Sequence, residues 1–364
     1  MGLGCTLYGI ALIGETDATG KHDNFVVGKL VAIFLVLWQH ASEFYLIGPE
    51  LALVDRHTTV LIAWFSSLDR TCVPLFAMLS GYLLLPTRLG MGDFYRKRLS
   101  RVLWPWLFWC VGYAVFFVFY RGDTWAQCLT HIANIPLNWG VEVGHLWYVY
   151  MLIGLYLLIP VLSPWVERAT KRQFRMVLGL WWITTLLPYI HLFQANVWGE
   201  CSWNVSPMLA PFTGFTGFLL LGAYVRRFGA PRLGNALALT LVGYVGSALA
   251  LILTYDHLAK DVNDLELPWN FCSTFIAMAT LGLWGLLSRV KVKEHKWLTD
   301  LSNSTYAIYL VHIMLMLLLH DHLTPAAIPV WAAIPYLAVL TLIATYLVVK
   351  LLSLLPVRRH WLGV

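Results

Sequence analysis

The chain has 364 residues, of which 59% are hydrophobic and only 12% charged, and its mean hydropathy is +0.68. A soluble globular domain carries about 25% charged residues, so this composition excludes that class and describes an integral membrane protein. The net charge of +6 reflects how basic residues divide between the two membrane faces, and it does not point to a nucleic-acid partner.

Residues 1–26 open with an apolar stretch, MGLGCTLYGIALIG, without a basic flank and followed by Glu15 and Asp17. That pattern is not a cleavable secretion signal, and the segment reads as an N-terminal cytoplasmic piece. Apolar runs then fill 27–47, 59–86, 102–120, 146–165, 174–192, 208–225, 233–255, 270–288, 304–320 and 330–355. Each is close to or above the ~20 residues that cross hydrocarbon as a helix. The run at 208–225 is short and rich in Gly and Pro. Lipid restricts a spanning backbone to helices or closed barrels, and runs of this length are helical. The expected architecture is therefore all-α: one transmembrane domain over 27–355 with about ten helices, then a cytoplasmic tail, 356–364. Eighteen tryptophans and seventeen tyrosines suit a chain that meets the water–lipid boundary many times.

Assigning alternate loops to opposite faces separates the charges sharply. Of the 25 lysines and arginines, all but Arg56, Arg70, Arg121 and Lys260 fall on one side. The other side carries acids, among them Glu50, Asp123, Glu142, Asp261 and Asp321. The positive-inside rule then places both termini and the basic loops in the cytoplasm.

The first run, KLVAIFLVLWQH, holds Lys29 and His40. Eleven helical steps return almost to the starting direction, so both share one face, roughly 16 Å apart along the axis. Glu43 follows three residues on. Intramembrane ionisable groups are costly and usually face a cavity or a partner. His40 is a candidate general base, with Glu43 to fix its tautomer and orientation. The plainer reading is an interhelical polar contact at His40 and a Lys29 that snorkels to the surface.

The second run contains Asp69-Arg70, then VPLFAMLSGYLLLP. Neighbours on a helix do not face each other, so each needs a partner elsewhere; Glu43 or a ligand carboxylate would suit Arg70. A late helix start would instead leave both at the outer surface. Ser80 is no hydrolase elbow, because G-x-S-x-G is absent, and Ser80-Gly81 more often permits close helix packing.

The third run is entered through FYRKRLSRVLWP, where Arg98 and Arg101 are i, i+3 neighbours. Arginine forks grip phosphate oxygens, although any cytoplasmic loop is basic. His145, Trp147 and Tyr148 stand at the outer end of the fourth run, and the two aromatics also suit an interfacial belt. Near the end, STYAIYLVH places Tyr309 and His312 one turn apart, as a polar patch toward the first helix. The six cysteines show no C-x-x-C or Cys/His metal spacing, so no metal is expected. Cys128 and Cys201 fall in outer loops where a disulfide could form.

In this order, the segments from Lys29 to His312 resemble acyltransferase family 3, the bacterial inner-membrane O-acyltransferases. The shared pattern is a basic residue, ten residues and then a histidine, a PLFFxLSGYLL-like span, Arg-x-x-Arg, HLWY, and S-x-Y-x-x-Y-L-x-H. The first basic residue is often Arg in that family and is Lys29 here, which keeps the charge and loses the fork. The resemblance implies acetyl transfer from cytoplasmic acetyl-CoA to a sugar hydroxyl of a lipid-linked or exported glycan, as in the enzymes that modify xanthan-type exopolysaccharides. Acetyl-CoA would be a co-substrate, with no permanently bound cofactor. Its phosphates would meet Arg98, Arg101 and Lys29, its arm would follow the Lys29–His40 stripe, and His40 would act with Glu43. Asp69, Arg70, Ser80, His145, Trp147, Tyr148, Tyr309 and His312 would bind substrate or support the site. The competing class is a transporter or flippase for a lipid-linked glycan, with the stripe as its path.

Overall fold

A computed structural model describes residues 23–293, 295–324, 328–354 and 361–363. The proposed N-terminal segment, apart from residues 23–26, and most of the tail lie outside the described residues. The described residues form helices and no strand. In chain order these are α1 (Asp23–Leu46), α2 (Arg56–Ser66), α3 (Cys72–Leu84), α4 (Met91–Tyr120), α5 (Trp125–Ala133), α6 (Trp139–Glu142), α7 (Trp147–Arg168) and α8 (Lys171–Thr184). They continue as α9 (Leu187–His191), α10 (Thr216–Phe228), α11 (Leu233–His257), α12 (Val262–Glu266), α13 (Thr274–Leu287), α14 (Lys296–Asn303), α15 (Thr305–Leu323) and α16 (Val330–Leu352).

Six of these are long and apolar enough to cross a membrane: the Val26–Leu46 part of α1, then α4, α7, α11, α15 and α16. A seventh crossing arises if α2 and the Asp69–Leu84 segment, bent by 44° at their junction, count as one broken span. The sequence leads one to expect about ten. The remaining three apolar runs fold as α8, α10 and α13, of 14, 13 and 14 residues. At 1.5 Å per residue such helices cover roughly 20 Å, short of the ~30 Å hydrocarbon core.

Close crossings fix the geometry of the site. Gly81 of α3 lies so near α10 that an added Cβ would fall 1.8 Å from the Leu219 carbonyl oxygen, and one on Gly222 would fall 2.0 Å from that of Met78. Glycine is the residue that lets two membrane helices meet at this distance, which is the packing role expected for the Ser80-Gly81 pair. The main core collects side chains of α3, α4, α7, α10 and α15, including the buried rings of Trp106, Tyr113, Phe117 and Trp139. Against it lies α1, which packs along α3, α15 and α16. Cys128 and Cys201 are both free, and Cys128 is buried. The outer-loop disulfide therefore does not form, because the Cys128 side chain turns into the core.

Candidate functional site

Helix α1 is continuous through Lys29, His40 and Glu43, so the three stand in the expected order along one side. The His40 Nδ1 lies 2.7 Å from Glu43 Oε2. An ionised carboxylate only accepts, so Nδ1 carries the hydrogen and Nε2 keeps its lone pair. Gln39 holds the other carboxylate oxygen, donating from Nε2 to Oε1 at 3.2 Å, and it accepts from Cys72 Sγ at 3.2 Å. Gln39 was not singled out from sequence, although a polar residue beside His40 in mid-span is the kind of signal that marks it.

His40 does not stand alone. Its ring centroid is 5.1 Å from that of His312 and 6.3 Å from that of His145, and the latter two are 4.7 Å apart. Residues from α1, α15 and the loop before α7 thus form one imidazole cluster. His312 is fully buried. Its Nδ1 meets the Tyr309 carbonyl at 2.6 Å, and since a carbonyl can only accept, Nδ1 donates there. The His312 Nε2 is buried without a hydrogen-bond partner. The His145 Nε2 lies 3.4 Å from the Leu310 carbonyl, and the Tyr309 hydroxyl donates to the His145 carbonyl. Tyr113, also missed from sequence, ties α4 to α15 through a 3.1 Å bond to the Leu310 carbonyl. No group of three His, Cys, Asp or Glu side chains among the described residues is placed to hold a metal ion.

A small cavity lies between the Lys29 end of α1 and Tyr309, the cluster's neighbour on α15. Lys29, Ser302 and Thr305 line one part, while Ser80, Tyr156, Tyr148 and Tyr309 line the rest. Tyr309 stands between the cavity and the imidazoles, its ring 5.3 Å from His145 and 5.8 Å from His312. Lys29 is 8% exposed, so its ammonium turns into this space instead of reaching for the surface. Arg98, half-buried, is close enough to Tyr156 to act on it electrostatically. Arg101, also half-buried, follows one turn later and does not line the cavity.

Asp69 and Arg70 lie at the break between α2 and α3, 1% and 2% exposed. They are not at the outer surface. Arg70 does not fork Glu43; it grips Glu266 of α12 through two bonds of 3.0 and 3.2 Å. Its guanidinium also sits 4.7 Å from the Trp269 ring centroid. The acid of its own neighbour, Asp69, is 4.0 Å from its Nε. Arg70 still reaches Glu43 through its charge. Nothing local in the sequence announces Glu266, which is 196 residues away. Trp147 turns away from the cavity into a ring cluster with Phe215 and Phe271.

Apolar helices long enough to cross a bilayer, gathered around buried ionisable side chains and an internal cavity, define a multi-pass membrane protein with a reaction or transport site inside it. Which of these it is follows from its relatives. Residues 24–350 match the model of the acyltransferase domain of acyltransferase family 3, and the chain belongs to that family. It is a membrane acyltransferase. No curated protein and no solved structure matches it.

Proposed function

We propose that this protein moves an acetyl group from cytoplasmic acetyl-CoA to a sugar hydroxyl of a lipid-linked or exported polysaccharide. It would work in the bacterial inner membrane, crossing it about ten times with both termini in the cytoplasm. The observation that carries this reading is the cavity that starts at Lys29 and ends at Tyr309, against the imidazole cluster. The buried Lys29 ammonium at one end suits the phosphates of an acyl donor, and Tyr309 at the other end brings the lining next to the imidazoles.

In this reading Arg98, Arg101 and Lys29 hold the donor phosphates, and the arm passes Ser80 and Tyr156 toward Tyr148 and Tyr309. The acceptor oxygen attacks the thioester carbon while His40 Nε2 takes the hydroxyl proton. The carbon–sulfur bond then breaks, and the thiolate leaves with a proton. His312 Nε2, beside His40 and beside Tyr309 at the cavity end, is the station from which that proton reaches sulfur. Glu43, fixed by Gln39, keeps His40 in the tautomer this requires.

The test supplies protein reconstituted in closed proteoliposomes with acetyl-CoA labelled in the acetyl group and with lipid-linked glycan from the host. Label on the glycan and free thiol in equal amount are expected. Glycan movement across the bilayer without label would assign a carrier instead.

A further inference from the structure

A second cavity lies on the far side of α1 and α3 from the first. The partition is clean. Leu75 and Leu79, one turn apart on α3, line the second cavity, whereas Val73, Phe76 and Ser80 line the first. On α1, Gly28 faces the second cavity and Lys29 the first. Trp284 and Leu287 of α13 complete a mostly apolar wall.

The cation on that wall is Arg226, near the end of α10 on the basic side of the molecule. Its Nη1 donates to the carbonyls of Tyr82 and Leu83, at 3.0 and 3.5 Å. These two bonds cap the last turn of α3 and fix the guanidinium plane. The edge formed by Nε and Nη2, the side-on fork that fits two phosphate oxygens, is not used in them. No ion pair with a carboxylate is formed by Arg226 among the described residues. A mostly apolar cavity with one anchored polar group is the usual form of a small-molecule site. Here the group is an exposed arginine at the edge and the interior is hydrocarbon-like.

We propose that this second cavity binds a phosphate-bearing amphiphile, its chain beside Leu75, Leu79 and Trp284 and its phosphate on the free edge of Arg226. Two molecules present this chemistry: a bilayer phospholipid, and a polyprenyl phosphate of the kind that carries a glycan acceptor. The inference requires only that the helices lie in a membrane, so it stands or falls apart from the acetyl-transfer reading. The thin wall of α1 and α3 would set such a carrier one helix away from the donor cavity.

The test is native mass spectrometry of the full chain, released from detergent with an anionic phospholipid, a polyprenyl phosphate, or diacylglycerol as the uncharged comparison. Arg226→Gln removes the fork. Gly28→Trp fills the cavity, and an added Cβ there meets nothing within 4 Å. Arg88→Gln lowers the charge of the same face without touching the cavity. The proposal expects both phosphate ligands to be retained by the wild type and by Arg88→Gln, and retention to fall about tenfold in the other two variants. Preference for polyprenyl phosphate identifies the occupant as an acceptor carrier, and equal retention of phospholipid identifies it as a bilayer lipid. Unchanged retention in Arg226→Gln, an equal loss in Arg88→Gln, or diacylglycerol held as tightly as the phosphate lipids would overturn it. The readout is binding, so it remains valid even if no acetyl transfer occurs.

Discussion

His40 Nδ1 lies 2.7 Å from Glu43 Oε2, one turn along the same helix, and this bond decides which nitrogen of the imidazole is free. With Nδ1–H committed to the carboxylate, Nε2 is the basic atom. General base catalysis typically contributes 10²- to 10⁴-fold, so His40→Ala should lower kcat for acetyl transfer by about that factor. Glu43→Gln should cost less and should alter the pH–rate profile, because the amide can present a donor to Nδ1 and select the other tautomer. Steady-state kinetics of the purified variants across pH decides the matter; a normal rate for His40→Ala would remove His40 from the mechanism.

The buried, unpartnered Nε2 of His312 gives a sharper test. If it passes a proton to the departing sulfur, its value depends on how basic that sulfur is. His312→Asn can keep a donor toward the Tyr309 carbonyl while removing the basic nitrogen. The expected loss in kcat is roughly 10²-fold or more with acetyl-CoA. With an aryl thioester donor, whose thiolate leaves unprotonated, the loss should be less than about tenfold. Equal losses with the two donors would make His312 a packing residue.

Donor binding should separate from chemistry. Arg98 acts electrostatically on Tyr156, a cavity-lining residue, although neither Arg98 nor Arg101 itself lines the cavity. Arg98→Ala is expected to raise KM for acetyl-CoA about tenfold, the cost of one charge-assisted phosphate contact, with kcat little changed. Arg101→Ala should have the smaller effect. Lys29→Met should raise KM as well, and Lys29→Arg should restore most of it. A change confined to the KM of the sugar acceptor would move Arg98 from the donor site to the acceptor site.

The features that could be read from the chain were those with a local period. Lys29, His40 and Glu43 share a face because one helix carries them, and Gly81 was legible as a close contact because it sits in an apolar span. The spatial gathering of His40, His145 and His312 was partly legible, since the polar patch at Tyr309 and His312 was expected to face the first helix. The partner of Arg70 was not. Glu266 belongs to a short helix whose place depends on the bend between α2 and α3, and no periodicity encodes that bend. The fate of Cys128 escaped for the same reason, because facing the core or an outer loop is decided by how α5 docks. Six crossings, or seven with the broken pair, stand in the structure as helices of spanning length; the other three apolar runs fold as helices of 13 or 14 residues, because hydropathy measures composition and not helix length.

The α14–α16 contact beside the first cavity should carry a pH dependence of its own. Asp300 lies on α14, whose end supplies Ser302 and Asn303 to the cavity lining. It is clasped by Lys350 and by the Tyr346 hydroxyl from α16. Partial burial pushes the Asp300 carboxyl up, but the Lys350 ammonium and the Tyr346 hydroxyl outweigh it and hold the group below the usual carboxylate range. A carboxyl with a depressed folded-state pKa contributes its stability above its unfolded pKa, about 3.9, and loses it as pH falls through the folded value. The clasp is about half exposed, so its contribution is ~1 kcal/mol or less. Asp300→Asn should therefore lower Tm slightly at pH 7. The difference from the wild type should shrink as pH falls below about 4, and it should also shrink in high salt. Thermal unfolding of the detergent-solubilised protein across that pH range measures it directly. A Tm gap that persists at low pH would show that Asp300 holds α14 through the shape of its side chain and not through its charge.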